Sequence, residues 1–212
     1  MKYLLIALMF LSVNAQAYDF EVGVGRTAYT RSPDGNWWQA PFDHSERMRG
    51  NSFSLGLTGM VTDGWRGRIG YQYLGRTTSD CIGVSDADYA AYKAGNHTIT
   101  PKYRWVGYGE VHMIYATIAP EFNFKDITVS PEFGYNAYIP VWDGDWTDLN
   151  GHLLQHWHHQ QRVEFTQSFG VSVTYKDVSL AITQYQSIDA GGDIFPAVYT
   201  GKATNVSLRY KF

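Results

Sequence analysis

Cysteine occurs once in this chain of 212 residues, at Cys81. A lone thiol makes no internal bridge, which excludes a disulfide scaffold. Charge is scarce as well: charged residues make up 17% of the chain and the formal net charge is -3, so no basic face invites nucleic acid. Long apolar runs are missing. Leu4 to Val13, interrupted by Ser12, falls well short of the roughly twenty residues a helical span requires, which excludes a helical membrane bundle. Aromatics are abundant at 16%, with 16 Tyr and 21 Gly, and that composition excludes a disordered chain. The length allows one domain or two small ones.

Residues 1–17 read as an export address. Lys2 supplies a positive start, the Leu4–Val13 stretch an apolar middle, and Ala15-Gln16-Ala17 a small-residue cleavage site. The expected organisation is a signal peptide over 1–17 and one β-barrel domain over 18–212. No Cys follows the cleavage site, so lipid attachment there is not expected, and Cys81 is expected as a free thiol in a loop.

From Tyr18 onward the pattern has period two, which places alternate residues on opposite faces of a strand. Phe20, Val22 and Val24 alternate with Glu21, Gly23 and Gly25; Phe53, Leu55 and Leu57 alternate with Ser52, Ser54 and Gly56. Further alternating segments run over 65–73, 114–124, 127–136, 163–175, 178–183 and 205–212, giving eight strands. Thr62-Asp63-Gly64, Lys125-Asp126 and Lys176-Asp177 are tight turns. Between them stand long polar connections at about 30–50, 76–109, 140–161 and 188–201. Short and long connections therefore alternate, as in an up-and-down barrel with all tight turns at one end.

The charges lie on the face of small and polar residues, opposite the apolar one. A soluble barrel encloses its apolar side; here the apolar side forms a continuous band that only lipid can cover, and closure leaves no backbone edge unsatisfied. Glu21, Arg66, Arg68, Glu121, Glu132, Glu164 and Arg209 are expected as a paired network filling a narrow lumen, because an unpaired buried charge is costly. Arg66, Arg68 and Glu121 should meet near the tight turns, and Arg209 should meet Glu21. Aromatics gather near the strand ends like interfacial girdles, among them Trp65, Phe122, Phe124, Tyr175 and Phe212 at one end and Tyr73, Tyr135, Phe165 and Trp142 at the other. Pro120 should fall opposite Pro131 and interrupt or bulge the ladder, since proline donates no ladder bond.

With this strand pattern, export signal and loop order, and with the final strand Val206-Ser207-Leu208-Arg209-Tyr210-Lys211-Phe212, the chain resembles the OmpA/OmpX type of small eight-stranded outer-membrane protein. The ending on Phe resembles the signal read by the barrel-insertion machinery. The resemblance implies an all-β fold: a closed eight-stranded antiparallel up-and-down transmembrane barrel with four long extracellular loops and three short periplasmic turns. It also implies residence in the bacterial outer membrane among its lipid and lipopolysaccharide. No peptidoglycan-binding domain is seen after Phe212, so the barrel-only members are the ones resembled.

Several constellations could carry function. Trp37, Trp38, Trp105, Trp142, Trp146 and Trp157 fall in the long connections and suit recognition of another surface, a host molecule or a phage. His152, His156, His158 and His159 are candidates for binding zinc, copper or nickel, although their spacing matches no established motif. In an extended segment His156 and His158 would share a face. His44-Ser45 has the residue types of a lipid A deacylase, but it stands in the first loop and no nucleophile–base–orienter set can be assembled around it. The expectation is a non-enzymatic surface protein without a cofactor, porin-like in architecture, whose loops serve adhesion or recognition. The alternatives are a lipid A-modifying enzyme and a small passive pore.

Overall fold

The computed structural model describes residues 18–31, 44–83, 86–96, 101–160, 162–188, 190–192 and 195–212. The expected signal peptide lies outside the described residues. The strands are β1 (Asp19–Arg31), β2 (His44–Arg47), β3 (Arg49–Thr62), β4 (Trp65–Gly83), β5 (Tyr103–Pro120), β6 (Phe122–Phe124), β7 (Ile127–Asp148), β8 (Leu153–Gln160), β9 (Glu164–Tyr175), β10 (Val178–Tyr185), β11 (Ala190–Gly192) and β12 (Phe195–Lys211). One helix, α1 (Asp86–Lys93), stands between β4 and β5.

Eight strands form a closed ring in the order β1–β3–β4–β5–β7–β9–β10–β12, each antiparallel to both neighbours. Pairing of β1 with β12, from Glu21↔Lys211 to Ala28↔Thr204 and beyond, closes it. The remaining strands are side branches: β2 on β4, β6 and β8 on β7, and β11 on β12. Two-residue turns at Asp63–Gly64, Lys125–Asp126 and Lys176–Asp177 gather at one end, where Phe124 pairs with Ile127 and Tyr175 with Val178.

Toward these turns the wall is built inside out. Along β3, Ser52, Ser54, Gly56 and Thr58 are buried while Phe53, Leu55 and Leu57 are exposed. Along β10, Ser179, Ala181 and Thr183 are buried while Val178, Leu180 and Ile182 are exposed. Glu21, Arg68 and Glu132 all face the closed interior. Beyond a certain level the pattern reverses on the same strands. In β7 the outward residues Val129, Phe133, Tyr135 and Ile139 give way to Asp143, Asp145 and Thr147, while the inward ones change from Ser130, Glu132 and Asn136 to Tyr138, Trp142 and Trp146. Val129 to Ile139 is a stretch of eleven residues, matching the roughly 9–11 a tilted strand needs to cross hydrocarbon.

That reversal explains where the strands outrun the sequence reading. Much of the predicted loop 76–109 is strand, because β4 continues to Gly83 and β5 begins at Tyr103. The predicted loop 140–161 is largely a hairpin of β7 and β8. Alternation persists in both, but with polar residues outside, so it does not read as a lipid-facing strand. A bulge at Leu74–Gly75 adds to the disguise. Both residues are buried, the β4–β5 register shifts there, and the inward phase passes from Gln72 to Thr77 and Ser79. Gly75 makes the bulge possible with a φ of +91, and its carbonyl accepts a hydrogen bond from Tyr29 Oη at 3.1 Å.

The two prolines act as expected. The β5–β7 ladder ends at Ile118↔Phe133 and the same register resumes in β6 at Phe122↔Val129, leaving Pro120 opposite Pro131 in the gap. Each proline still stands in a ladder on its other side, Pro120 with Trp65 and Pro131 with Val171.

Placing a guanidinium on the apolar belt should be costly. Leu180→Arg is expected to lower stability by about 2–4 kcal/mol in urea titrations of bilayer-reconstituted protein. Arg104→Ala, on the polar outer face beyond the belt, removes only a solvent-exposed pair with Asp80 and should leave the urea midpoint nearly unchanged.

Candidate functional site

Two regions concentrate the polar and aromatic side chains: the lumen, and the sheet that rises above the belt. The lumen is ionic toward the tight turns. Glu132 on β7 is bonded by Arg68 of β4, and by Arg209 of β12 through Nη1 at 2.9 and 3.1 Å. Arg68 Nε also stands 3.3 Å from a Glu21 oxygen. Arg66 pairs with Glu121 nearer the mouth. Four strands of the ring are thus bridged across the interior by Glu21, Arg68, Glu132 and Arg209.

Above this layer lies one of amides and hydroxyls. Tyr185 Oη donates to Gln72 Oε1 at 2.6 Å, and Gln72 Nε2 donates to Asn205 Oδ1 at 3.4 Å. Asn205 Nδ2 donates to Thr27 Oγ1 and Ser52 Oγ at 2.9 and 2.6 Å. Asn136 Nδ2 reaches Ser168 Oγ at 3.0 Å. Higher still, Tyr29, Leu74, Val111, Met113, Tyr138 and Ile188 pack into an apolar plug continuous with Trp105 and Trp142. The remaining space between Arg68, Gln72, Tyr115, Asn136, Tyr185 and Arg209 is about 20 Å³, room for about one water.

The predicted charge network is therefore redistributed. Arg66 and Glu121 meet, but Arg68 turns to Glu132 and Glu21, and Arg209 takes Glu132 rather than Glu21. Glu164 stands apart. It begins β9 at the end far from the tight turns, is exposed, and accepts a hydrogen bond from Tyr138 Oη at 2.8 Å. Cross-ring reach, which strand order alone does not supply, decides these partners. Uncharged Gln72, Asn136, Asn205, Tyr115 and Tyr185 also line the lumen and are not among the charged residues expected there. Their signal was an amide or phenol at lumen phase in an otherwise alternating strand.

The ring closure, the outward aliphatics and the bridged charges together decide the class. The chain is a small eight-stranded transmembrane barrel of the outer-membrane kind. Neither the scan of protein-family models nor the search of curated proteins finds a match. Among solved structures it is similar to Ail, the attachment invasion locus protein of Yersinia pestis, at 8% identity over 92% of this chain and 97% of that one, with a TM-score of 0.42. It is also similar to the outer-membrane protein OprG of Pseudomonas aeruginosa, at 10% identity over 93% and 97%, TM-score 0.43. A third similarity is to Neisserial surface protein A, at 12% identity over 92% and 96%, TM-score 0.39. The membrane assignment rests on the barrel's own belt and lumen rather than on these likenesses.

Above the belt, β4, β5 and β7 continue as a sheet flanked by β2 and β8. Its inner face is indole-rich. Trp105 and Trp142 stack at 5.1 Å, Trp146 meets Trp105 edge-on at 5.9 Å, and Tyr103 stacks on Trp146 at 5.8 Å. Gly144 makes room, since a Cβ there would stand 2.3 Å from the Trp105 ring. This corrects the reading of these tryptophans as an exposed recognition surface: Trp105 and Trp142 are buried, and Trp146 and Trp157 are half-buried against the same cluster. The cause is the inward phase of the extended strands, which turns 105, 142, 144 and 146 to one side. It also removes Trp142 from the outer girdle. Trp37 and Trp38 lie outside the described residues.

The outer face of the extension carries the ion pairs Arg76–Glu110 and Arg104–Asp80 and the imidazole–carboxylate pairs His158–Asp143 and His156–Asp145. At the hairpin tip His152 Nδ1 stands 2.9 Å from Asp148 Oδ2. That bond, with the His152 backbone N–H, holds the Asp148 carboxyl below the ordinary aspartate range. The interaction is present above the unfolded-chain value and is lost as pH falls through the lowered one. The backbone at His44 and Ser45 pairs with Cys81 and Asp80, beyond the belt, while the side chains of His44, Ser45, Cys81 and His159 lie outside the described residues. No group of three or more metal-ligating side chains is assembled among the described residues.

Glu132→Ala would leave Arg209 without its carboxylate in the lumen and Arg68 with Glu21 alone, and should lower stability by about 3–5 kcal/mol in urea unfolding. Arg76→Ala, which breaks an outer-face pair, should cost about 0–1 kcal/mol.

Proposed function

We propose that the chain is a non-enzymatic surface protein of a bacterial outer membrane, its barrel anchoring an extracellular β-sheet that adheres to or recognises another surface. The observation that carries this reading is the continuation of β4, β5 and β7 beyond the lipid belt as one sheet, edged by β2 and β8. Such a sheet is stiff, because its β5–β7 ladder runs without a break from the anchored wall into the hairpin, from Ile118↔Phe133 to Tyr103↔Asp148. Its inner face spends its indoles on packing, so the contact chemistry falls to the polar outer face and to the hairpin tip, where Leu149, Leu153 and Leu154 are exposed. Lipopolysaccharide and outer-membrane lipid would surround the belt, and the barrel-insertion machinery would deliver it there. A host molecule or phage is the class of extracellular ligand proposed.

Replacing residues 143–158 by a tight turn tests this. The shortened protein should keep heat-modifiable gel mobility, the sign of an intact barrel, while cells displaying it lose adherence to the surfaces the full chain binds. Unchanged adherence would remove the contact role from this hairpin. The pore alternative is tested in planar bilayers, where the plugged lumen should show no steady single-channel conductance. The enzyme alternative is tested by weighing lipid A from expressing cells, whose mass spectrum should be unaltered.

A further inference from the structure

The strand β8 is an edge, paired with β7 and with no other strand among the described residues. On it His156 and His158 alternate with Trp157, so both imidazoles leave the face opposite the indole. Directly across the ladder stand Asp145 and Asp143. Asp145 Oδ1 is 2.7 Å from His156 Nδ1, and Asp143 Oδ1 is 2.5 Å from His158 Nδ1. An ionised carboxylate only accepts hydrogen bonds, so in each pair Nδ1 carries the proton and donates. In the neutral ring each Nε2, on the far side of the imidazole from the carboxylate, then keeps its lone pair. The two side chains are 55% and 57% exposed, so both nitrogens stand in reach of solvent.

We propose that His156 and His158 form a two-imidazole site for a divalent transition cation of the zinc, nickel and copper class, with Asp145 and Asp143 as its orienting carboxylates. Alternate residues on a strand are about 6.6 Å apart, and a metal–nitrogen bond is about 2.0–2.1 Å. The two Nε2 atoms must therefore lean toward each other by about 1.2 Å each for a trans pair of ligands and about 1.6 Å each for a tetrahedral one, which exposed imidazoles can do. A carboxylate holding the remote ring nitrogen fixes tautomer and orientation and makes Nε2 a better donor, the usual outer support of a metal-bound histidine. Magnesium and calcium are disfavoured, because they require oxygen ligands and both carboxylates are engaged. Two protein ligands leave the remaining positions to water, so a modest affinity is expected. His152–Asp148 is the same kind of pair without a neighbouring imidazole, and so provides an internal control. The site does not depend on the contact role proposed above, since it requires only the β7–β8 hairpin.

The test uses the tag-free full chain in lipid nanodiscs, titrated with nickel chloride by calorimetry. One nickel per chain is expected. His156→Ala and His158→Ala should each weaken binding by tenfold or more, and Asp143→Asn and Asp145→Asn by about 10- to 100-fold. His152→Ala should leave it unchanged. With copper chloride in place of nickel, electron paramagnetic resonance should show hyperfine coupling to two imidazole nitrogens. All five positions are exposed or half-exposed on the hairpin, and heat-modifiable mobility reports that each variant still folds. The proposal is overturned if the unaltered chain binds no nickel, if binding survives both His156→Ala and His158→Ala, or if His152→Ala weakens it as much as they do.

Discussion

Everything in this molecule depends on the ladder between β1 and β12. That pairing joins the first stave to the last and converts a sheet into a ring. A ring has no unpaired edge in its wall, so its backbone can stand in hydrocarbon where an open sheet could not. Once closed, the wall has one face that meets lipid and one that meets only itself. The outward face can then be Leu, Ile, Val and Phe without a partner protein, and the inward face must satisfy its own charges. The Glu21–Arg68–Glu132–Arg209 bridge is the consequence of closure rather than its cause. Continuum estimates for buried ion pairs give no reason to count the bridge as a large net stabiliser; its clearer effect is to leave no charge in the lumen uncompensated.

A second consequence is that the solvent changes along each long strand while the fold does not. Near the tight turns the lumen is polar and the exterior apolar. Above Ile139 on β7 and Ile114 on β5 the exterior is water, and the interior becomes an ordinary apolar core of Leu74, Val111, Met113 and tryptophans. One ladder therefore passes from a membrane wall to a water-exposed sheet without a hinge. This gives the extension its stiffness, and it caps the polar lumen with an apolar plug.

Legibility in the sequence followed the same boundary. Within the belt, alternation of the kind in Phe53-Ser54-Leu55-Gly56-Leu57 reads directly, and so do the turns Lys125-Asp126 and Lys176-Asp177 and the Pro120–Pro131 gap. Beyond the belt, Arg104-Trp105-Val106-Gly107-Tyr108-Gly109 alternates too, but with a large indole among glycines on the inner side, and it reads as a polar loop. The bulge at Gly75 hid the phase change further. At the site level, the sequence supplied the residues of the lumen but not their partners. Arg209 and Glu132 lie on strands that are not neighbours, and the reach of a guanidinium across a closed ring is not a property of spacing. His156 and His158 were legible as a shared face. Their carboxylate partners became apparent only when the β7–β8 register aligned Asp145 with one and Asp143 with the other.

The central claim is that outward aliphatics face acyl chains up to a defined level on the strands and water above it. Spin labels placed one at a time at odd positions from 129 to 147 on β7, in a Cys81→Ser background reconstituted in bilayers, test this most directly. Labels from 129 to 139 should be relaxed by oxygen and protected from a water-soluble nickel chelate, and labels at 143, 145 and 147 should show the opposite. Chelate access throughout the lower stretch, or protection at all these positions, would contradict a belt that ends where the polarity of β7 reverses.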